Sequence, residues 1–322
     1  MVFRVDLPRG AGWALAALLL TSCAGQMGAC KLLGAIDLPV TTRNRSFSTN
    51  MLIDGAPATM RIDTGSFVDL LTEATAKRLG LRQSRSGDLS MRGIGGQQTL
   101  SLATSHAVSL GGARATNVDF LTIGDRDFST DMDGVLGMPF LEPYDDDLDF
   151  AHGHLRLIAP QGNCSEPASP LTGTVFVVPL LRAYNSGSPI IAVVIRGVKL
   201  HAVIDTGSPF SLLFRSTALR IGVPADKALR ETRQSIRGFG PNRKPAAFGR
   251  LRLAIQIGGL DINNLPFALI DDIYDRPADM LLGYDFVMAV HVWISHSSKT
   301  VLLQYPAEAT PTGGPPVGGP GG

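Results

Sequence analysis

The sequence has little charge and little cysteine. Its 322 residues carry 29 Lys and Arg against 28 Asp and Glu, which gives a formal net charge of +1. A chain so balanced has no strong field to attract nucleic acid or acidic lipid headgroups. The three cysteines show no CxxC or zinc-ligand spacing. We therefore expect no nucleic-acid partner, no metal and no other cofactor.

Long apolar runs are also scarce. The run AGWALAALLL at 11–20 is too short to span a bilayer. It ends in Leu20-Thr21-Ser22, directly before Cys23, which is typical of a bacterial lipoprotein signal whose cleavage leaves Cys23 as a lipid-bearing N-terminus. An ordinary signal peptide cut after Ala24 or Ala29 is the alternative. The pattern predicts a lipid-anchored, periplasm-facing envelope protein, with the outer membrane favoured because Ala24 follows the cysteine.

If Cys23 is acylated, two cysteines remain. An oxidising envelope compartment would allow Cys30 and Cys164 to form a disulfide. The alternative is that they are two independent small apolar residues. The sequence does not decide between them.

The chain contains an internal duplication. Asp63-Thr64-Gly65-Ser66 recurs 142 residues later as Asp205-Thr206-Gly207-Ser208. In each half the motif is preceded by strand-like alternation and followed by a short helical segment, a glycine-rich turn, and then DGVLG or DMLLG. Features that recur in one order at nearly one period indicate two copies of a single unit.

The duplication predicts a mainly β protein of two lobes with a few short helices. Its predicted parts are a signal peptide (1–22), an N-terminal lobe (32–160), a linker (161–174), a C-terminal lobe (175–305) and a disordered Pro- and Gly-rich tail (306–322).

The repeated motif places one carboxylate in an apolar setting in each half. Burial of an unpaired carboxylate is costly, but two carboxylates related by a two-fold axis can share one proton. One is then a base and the other an acid near the same pH, which suits activation of a water and protonation of a leaving amine. Glycine permits the tight turn that exposes each aspartate.

These motifs resemble the aspartic proteases, and specifically the retropepsin-like branch. The resemblance covers roughly residues 35–305 and implies two pseudo-symmetric β-barrel lobes with a catalytic dyad of Asp63 and Asp205. It implies that Thr64 and Thr206 interlock across the axis. It also implies that the hydroxyls of Ser66 and Ser208 hydrogen-bond the outer carboxylate oxygens, beside Gly65 and Gly207. Those hydroxyl donors would favour an acid-side pH optimum.

The same resemblance implies further features of the two lobes. The segments ending in Gly137 and Gly283 would run beneath the DTGS loops. Both glycine-rich turns look like flaps that contact substrate. The flap residues are Arg92, Gly93, Ile94 and Gly95 in the first turn and Arg237, Gly238, Phe239 and Gly240 in the second. Because both half-sites lie on one chain, we expect a monomeric endopeptidase with a peptide or protein substrate.

Three further interpretations concern a histidine pair, an acidic run and the function of the protein. The pair His152 and His154 could bind a metal, but a hairpin turn explains it better. The run Asp145-Asp146-Asp147 lacks calcium-loop spacing and is expected to be a solvated loop. A protein of the same fold that has lost catalysis and acts as a binding or scaffolding lipoprotein is the functional alternative.

Overall fold

The computed structural model describes residues 31–93, 96–124, 132–161, 164, 169, 171–182, 187–226, 229, 235–236, 246–272 and 278–305. Within this part the chain forms three β-sheets and four short helices. Two sheets form the barrels of two lobes, and the third contains strands from both halves of the chain.

The N-terminal barrel contains eight strands in the order β2-β3-β4-β9-β5-β8-β7-β6. A pairing between β3 and β7 closes the six strands from β3 to β7 into a barrel. The strands are β2 (Thr41–Arg43), β3 (Ser46–Ile53), β4 (Ala56–Ile62), β5 (Leu70–Thr72), β6 (Arg82–Gly93), β7 (Gly96–Leu110), β8 (Ala113–Ile123) and β9 (Gly134–Leu136).

The C-terminal barrel repeats this order strand for strand, as β13-β14-β15-β20-β16-β19-β18-β17. It is closed by the equivalent pairing of β14 with β18. The strands are β13 (Leu181–Arg182), β14 (Pro189–Ile195), β15 (Val198–Ile204), β16 (Leu212–Phe214), β17 (Ser235–Ile236), β18 (Ala246–Ile257), β19 (Leu260–Ile270) and β20 (Met280–Leu282). The matching topologies confirm the predicted mainly β, two-barrel fold.

A six-stranded sheet, in the order β1-β11-β10-β21-β22-β12, joins the lobes through the pairing of β10 with β21. The sequence did not predict this sheet, which takes the outer strands of each half. Its strands are β1 (Lys31–Pro39), β10 (Asp145–Asp149), β11 (His154–Gln161), β12 (Phe176–Pro179), β21 (His291–Ser295) and β22 (Thr300–Gln304). One apolar core runs through both barrels and this sheet, because it contains Phe47, Leu148, Ile204 and Val292 together.

The helices are short and occupy matching positions in the two lobes. They are α1 (Glu73–Arg78), α2 (Met138–Leu141), α3 (Arg215–Arg220) and α4 (Tyr284–Val287). The first begins at Thr72, whose side chain accepts a hydrogen bond from the Thr75 amide at 3.0 Å. After α1 and α3 the chain turns at a glycine in the left-handed region, Gly80 (φ 64°) and Gly222 (φ 74°), respectively. The helical segments predicted after the two DTGS motifs are therefore present as α1 and α3, each six residues long.

The expectation of a solvated acidic loop at Asp145-Asp146-Asp147 was wrong. All three side chains are at most 1% exposed, because they lie on β10 in the middle of the joining sheet. The C-terminal lobe supplies a partner to each: His296 Nε2 lies 3.1 Å from Asp146, His291 Nε2 lies 2.5 Å from Asp147, and Ser295 Oγ donates to Asp145 at 2.9 Å. Arg156 on the neighbouring strand β11 also forms an ion pair with Asp147 at 2.8 Å. A buried carboxylate requires such partners, and those from the C-terminal lobe are distant in sequence and so gave no local signal.

Burial and the contact between Asp146 and His296 together shift the pKa of both side chains. Burial raises the pKa of Asp146 to about 6. Although burial opposes the charge on His296, its hydrogen bond to Asp146 raises the pKa of the imidazole. The lobes are thus joined by a polar cluster as well as by strand pairing.

The histidine pair behaves as the hairpin reading predicts. His152 lies in the turn between β10 and β11, and His154 is the first residue of β11. Both are exposed, and they contact Asp149 and Asp37, respectively. No cluster of metal-ligating side chains occurs in the described part of the chain. A helix able to cross a membrane is likewise not found among the described residues.

Cys164 is buried and disulfide-bonded. Its bond partner lies outside the described residues, as do both Cys23 and Cys30. The pairing of Cys30 with Cys164 therefore stays a prediction.

Candidate active site

Each DTGS loop begins where a barrel strand ends. Strand β4 leads into Asp63 and strand β15 leads into Asp205, and each strand pairs in parallel with the strand of the later glycine motif, β9 or β20. The parallel pairing continues into the loops, where the Asp63 amide donates to Leu136 O at 3.0 Å and the Asp205 amide to Leu282 O at 2.9 Å. The two aspartates are therefore held by their own lobes in the same way.

The glycines of the later motifs pack directly beneath the loops. A Cβ at Gly137 would lie less than 3 Å from the carbonyl oxygens of Val68 and Ser66. At Gly283 the same atom would meet the carbonyls of Phe210 and Ser208. Only glycine permits this approach of two backbones, so the predicted arrangement beneath the loops is present.

The two threonines of the motifs join the loops across the pseudo-two-fold axis. The Thr64 amide donates to Thr206 Oγ1 at 3.0 Å, and the Thr206 amide donates to Thr64 Oγ1 at 3.1 Å. Each hydroxyl in turn donates to a carbonyl of the opposite lobe, Thr64 to Ile204 O at 2.6 Å and Thr206 to Ile62 O at 2.8 Å. Both threonines are fully buried. These four bonds fix the relative position of the lobes at the site.

The carboxyl groups of Asp63 and Asp205 meet at this axis. Each lies over the glycine of the opposite loop, and the two groups are close enough for each to influence the titration of the other. A Cβ at Gly65 would be 2.5 Å from Asp205 Cγ, and one at Gly207 would be closer still to the carboxyl of Asp63. The glycines therefore do more than permit a turn, since they leave the space in which the opposite carboxyl sits.

Burial dominates the titration of this pair. It raises the pKa of Asp205 to about 8, and the negative charge of Asp63 contributes to that rise. Burial also raises the pKa of Asp63, but Arg61 and the amides of Gly65 and Ser66 act in the opposite direction. The pair therefore holds one proton over a wide pH range, and Asp63 is the member whose charged form has more support.

The serine hydroxyls do not contact the carboxyl oxygens as expected. Ser66 Oγ donates to Val68 O and Ser208 Oγ donates to Phe210 O, each at 2.7 Å. Backbone amides take the place of the hydroxyls. The Gly65 amide donates to Asp63 Oδ1 at 3.0 Å, and the amides of Gly207 and Ser208 donate to Asp205 Oδ1 at 3.0 and 3.1 Å. The serines thus hold the shape of the loops, and the basis for an acid-side optimum disappears.

The predicted flaps lie mostly outside the described residues. In the first, Arg92 and Gly93 end β6 and pair with Gln97 and Gly96 of β7, so the turn is the tip of a hairpin. Ile94 and Gly95 fall outside the described part of the chain. So do the four residues of the second flap, Arg237, Gly238, Phe239 and Gly240.

Sequence comparison of the halves missed residues in which they differ. Asp69 and Ser211 occupy matching places, and each accepts the amide of the glycine beneath its loop: Gly137 N to Asp69 at 2.7 Å and Gly283 N to Ser211 at 3.1 Å. Burial raises the pKa of Asp69 to about 7. Alignment of the halves at the 142-residue period would have shown this difference.

Comparisons with known proteins agree with this architecture. The sequence profile of the aspartyl protease family matches residues 49–140 and 191–286, one match in each lobe and together more than half of the chain. The chain therefore belongs to the aspartyl protease family. Among solved structures it is similar to an aspartic proteinase from Irpex lacteus, with 15% sequence identity and a TM-score of 0.51. That match covers 87% of this chain and 99% of the other, and it shows the shared fold. No curated protein matches the sequence.

Proposed function

We propose that this protein is an aspartic endopeptidase that hydrolyses peptide bonds with a water activated by Asp63 and Asp205. The single observation that carries the proposal is the meeting of these two carboxyl groups, each packed over the glycine of the opposite loop, Gly65 or Gly207. Its substrate is a peptide or protein, and it needs no cofactor.

The unequal support of the two carboxyls assigns their roles. Asp63, whose charged form is supported by the positive charge of Arg61, is the base that takes a proton from the attacking water. Asp205, with a pKa of about 8, holds the shared proton and donates it to the carbonyl oxygen as the C–O bond to water forms. The proton taken by Asp63 then passes to the amide nitrogen. The C–N bond breaks, and a hydroxyl of the intermediate returns its proton to Asp205 as the product carboxyl group forms.

The pH profile of kcat/KM is expected to be bell-shaped with its alkaline limb near pH 8. Loss of the proton from Asp205 removes the acid, and its pKa is about 8. Protonation of Asp63 removes the base, and its pKa lies above the ordinary 3.8, so the acidic limb moves upward as well. Initial rates of a peptide library measured across pH 3 to 10 test this. An alkaline limb below about pH 6 would contradict the assigned proton.

Hydrolysis and inhibition together test the proposed function. Purified protein should cleave a diverse peptide library and should be inhibited stoichiometrically by pepstatin, which imitates the tetrahedral intermediate. A protease with one cellular target would leave a generic peptide library uncleaved. The second assay therefore compares envelope proteins from cells with and without the active protein and identifies new termini produced by cleavage. Absence of cleavage in both assays would favour the non-catalytic scaffolding protein.

We also propose that the protein acts in the cell envelope, facing the periplasm and held to the membrane by lipid on Cys23. The support is the apolar run at 11–20 and the small residues before Cys23. The disulfide at Cys164 fits an oxidising compartment. Ala24 after the cysteine favours the outer membrane.

Replacement of Cys23 by Ser should abolish incorporation of labelled fatty acid and move the protein to the soluble fraction. The acyl chains bind the membrane and serine cannot carry them by this route, so loss should be nearly complete. Metabolic labelling and membrane fractionation provide the measurement, with Cys30→Ser as the matched control that keeps its lipid. A Cys23→Ser protein that stays with the membrane would show that another anchor exists.

A further inference from the structure

Arg45 of the N-terminal lobe reaches the loop of the C-terminal lobe that carries Asp205. Its Nε donates to Pro209 O at 2.5 Å, four residues beyond that aspartate. Its Nη2 donates to the carboxylate of Asp285 on α4 and forms an ion pair with it. One planar guanidinium therefore bonds to the loop and to the helix that follows the glycine beneath the loop.

Two aromatic rings also contact this guanidinium. Its central carbon lies 4.6 Å from the ring centre of Phe210 and 4.6 Å from that of Tyr284. Contacts at this distance are attractive because the ring faces carry negative charge. Arg45 therefore has four contacts in the opposite lobe, and all four involve the Pro209–Phe210 segment or α4.

The contacts continue to the backbone beneath Asp205. The second carboxylate oxygen of Asp285 accepts the Ser211 amide at 3.1 Å. Ser211 Oγ accepts the Gly283 amide at 3.1 Å, and the Tyr284 amide donates to Ser208 O at 3.0 Å. A continuous set of hydrogen bonds thus leads from Arg45 to both ends of the loop segment after Asp205.

Among the described residues, the other half of the molecule shows no counterpart to this contact. At the 142-residue period Arg45 corresponds to Gly187, and the matching helices α2 and α4 place Pro139 opposite Asp285. Arg45 has φ 59° and Gly187 has φ 64°, so arginine occupies a left-handed conformation that glycine adopts without strain.

We propose that Arg45 is a positioning residue for Asp205, by which the N-terminal lobe fixes the half-site of the C-terminal lobe. This inference rests on the proposed function. Arg45 acts through the Pro209–Phe210 segment and Asp285, and it does not touch the reacting atoms. Gly187, which matches Arg45 in the C-terminal lobe, has no side chain with which to support the Asp63 half-site in the same way.

The test is the kinetics of Arg45→Met and Arg45→Lys, with active sites counted by pepstatin titration. Because both variants keep a Cβ, the backbone strain at this position is unchanged. We expect Arg45→Met to lower kcat per titrated site by about 10- to 100-fold, as for a misplaced catalytic group, with KM within about twofold of wild type. Lysine keeps the charge but loses the second bond, so Arg45→Lys should recover part of the rate.

Arg220→Met is the matched control. Arg220 forms an ion pair with Asp279 at 2.6 Å in the same lobe as Asp205, and its side chain, like that of Arg45, is partly exposed. Its loss should leave kcat per titrated site unchanged. Asp285→Asn provides a second route, and the double variant with Arg45→Met should be no slower than the slower single variant, because both residues act together.

The outcomes separate this inference from the proposed function. Wild-type protein without peptidase activity would overturn both. Active wild-type protein with Arg45→Met at full kcat per titrated site would overturn the positioning role alone. A variant with fewer titratable sites but normal kcat per site would show a purely structural ion pair, which also contradicts the proposal.

Discussion

Replacement of either Asp63 or Asp205 by asparagine is expected to lower kcat by roughly 10³-fold or more while the protein stays folded, since each carboxyl has a proton-transfer role. Asparagine has nearly the same size, so the packing over Gly65 and Gly207 remains. Because burial opposes the charge of both carboxyls, loss of one carboxyl should not lower the unfolding temperature. Hydrolysis rates and thermal melts measured together separate loss of chemistry from loss of fold.

A mixing experiment is the control for this result. The interlocked threonines and the core join the two half-sites of one chain, so an Asp63→Asn chain should not complement an Asp205→Asn chain. Near-wild-type turnover by either single variant would refute the dyad. Recovery of activity in the mixture would mean that the site forms between chains and that the protein is not a working monomer.

Alanine at Gly65 or Gly207 is expected to lower kcat by on the order of 100-fold with little loss of stability. The added methyl group would meet the carboxyl of the opposite aspartate, a side chain that can rotate away. Movement of that carboxyl separates the two groups that share the proton. Rates per folded molecule, with thermal melts on the same samples, test the effect.

Alanine at Gly137 or Gly283 provides the contrast. There the methyl group would meet backbone carbonyls, Val68 O or Phe210 O, which cannot rotate away. We expect these variants to lose about 2 to 3 kcal/mol of stability, as in overpacked sites. Equal effects on stability at all four glycines would show that Gly65 and Gly207 serve the fold rather than the position of the carboxyls.

The sequence by itself determined the duplication and the class of fold, and it predicted which two aspartates the structure brings together. These follow from local patterns: apolar alternation that ends at DTGS, the glycine of each turn, and the repeat of the whole order after 142 residues. A pattern of this kind requires only that each half fold in the same way. The strand order of the two barrels, which matches strand for strand, is what such a repeat produces.

The tertiary structure decided everything that depends on partners far away in the chain. Only it shows that Asp145-Asp146-Asp147 is buried, where histidines about 150 residues later contact two of the three carboxylates. Only it shows that the serine hydroxyls donate to backbone carbonyls and that the carboxyls accept hydrogen bonds from backbone amides. The joining sheet and the contacts of Arg45 with the opposite lobe likewise depend on segments that are far apart in the chain. Pairing between distant segments depends on packing of the whole chain, which no local pattern encodes.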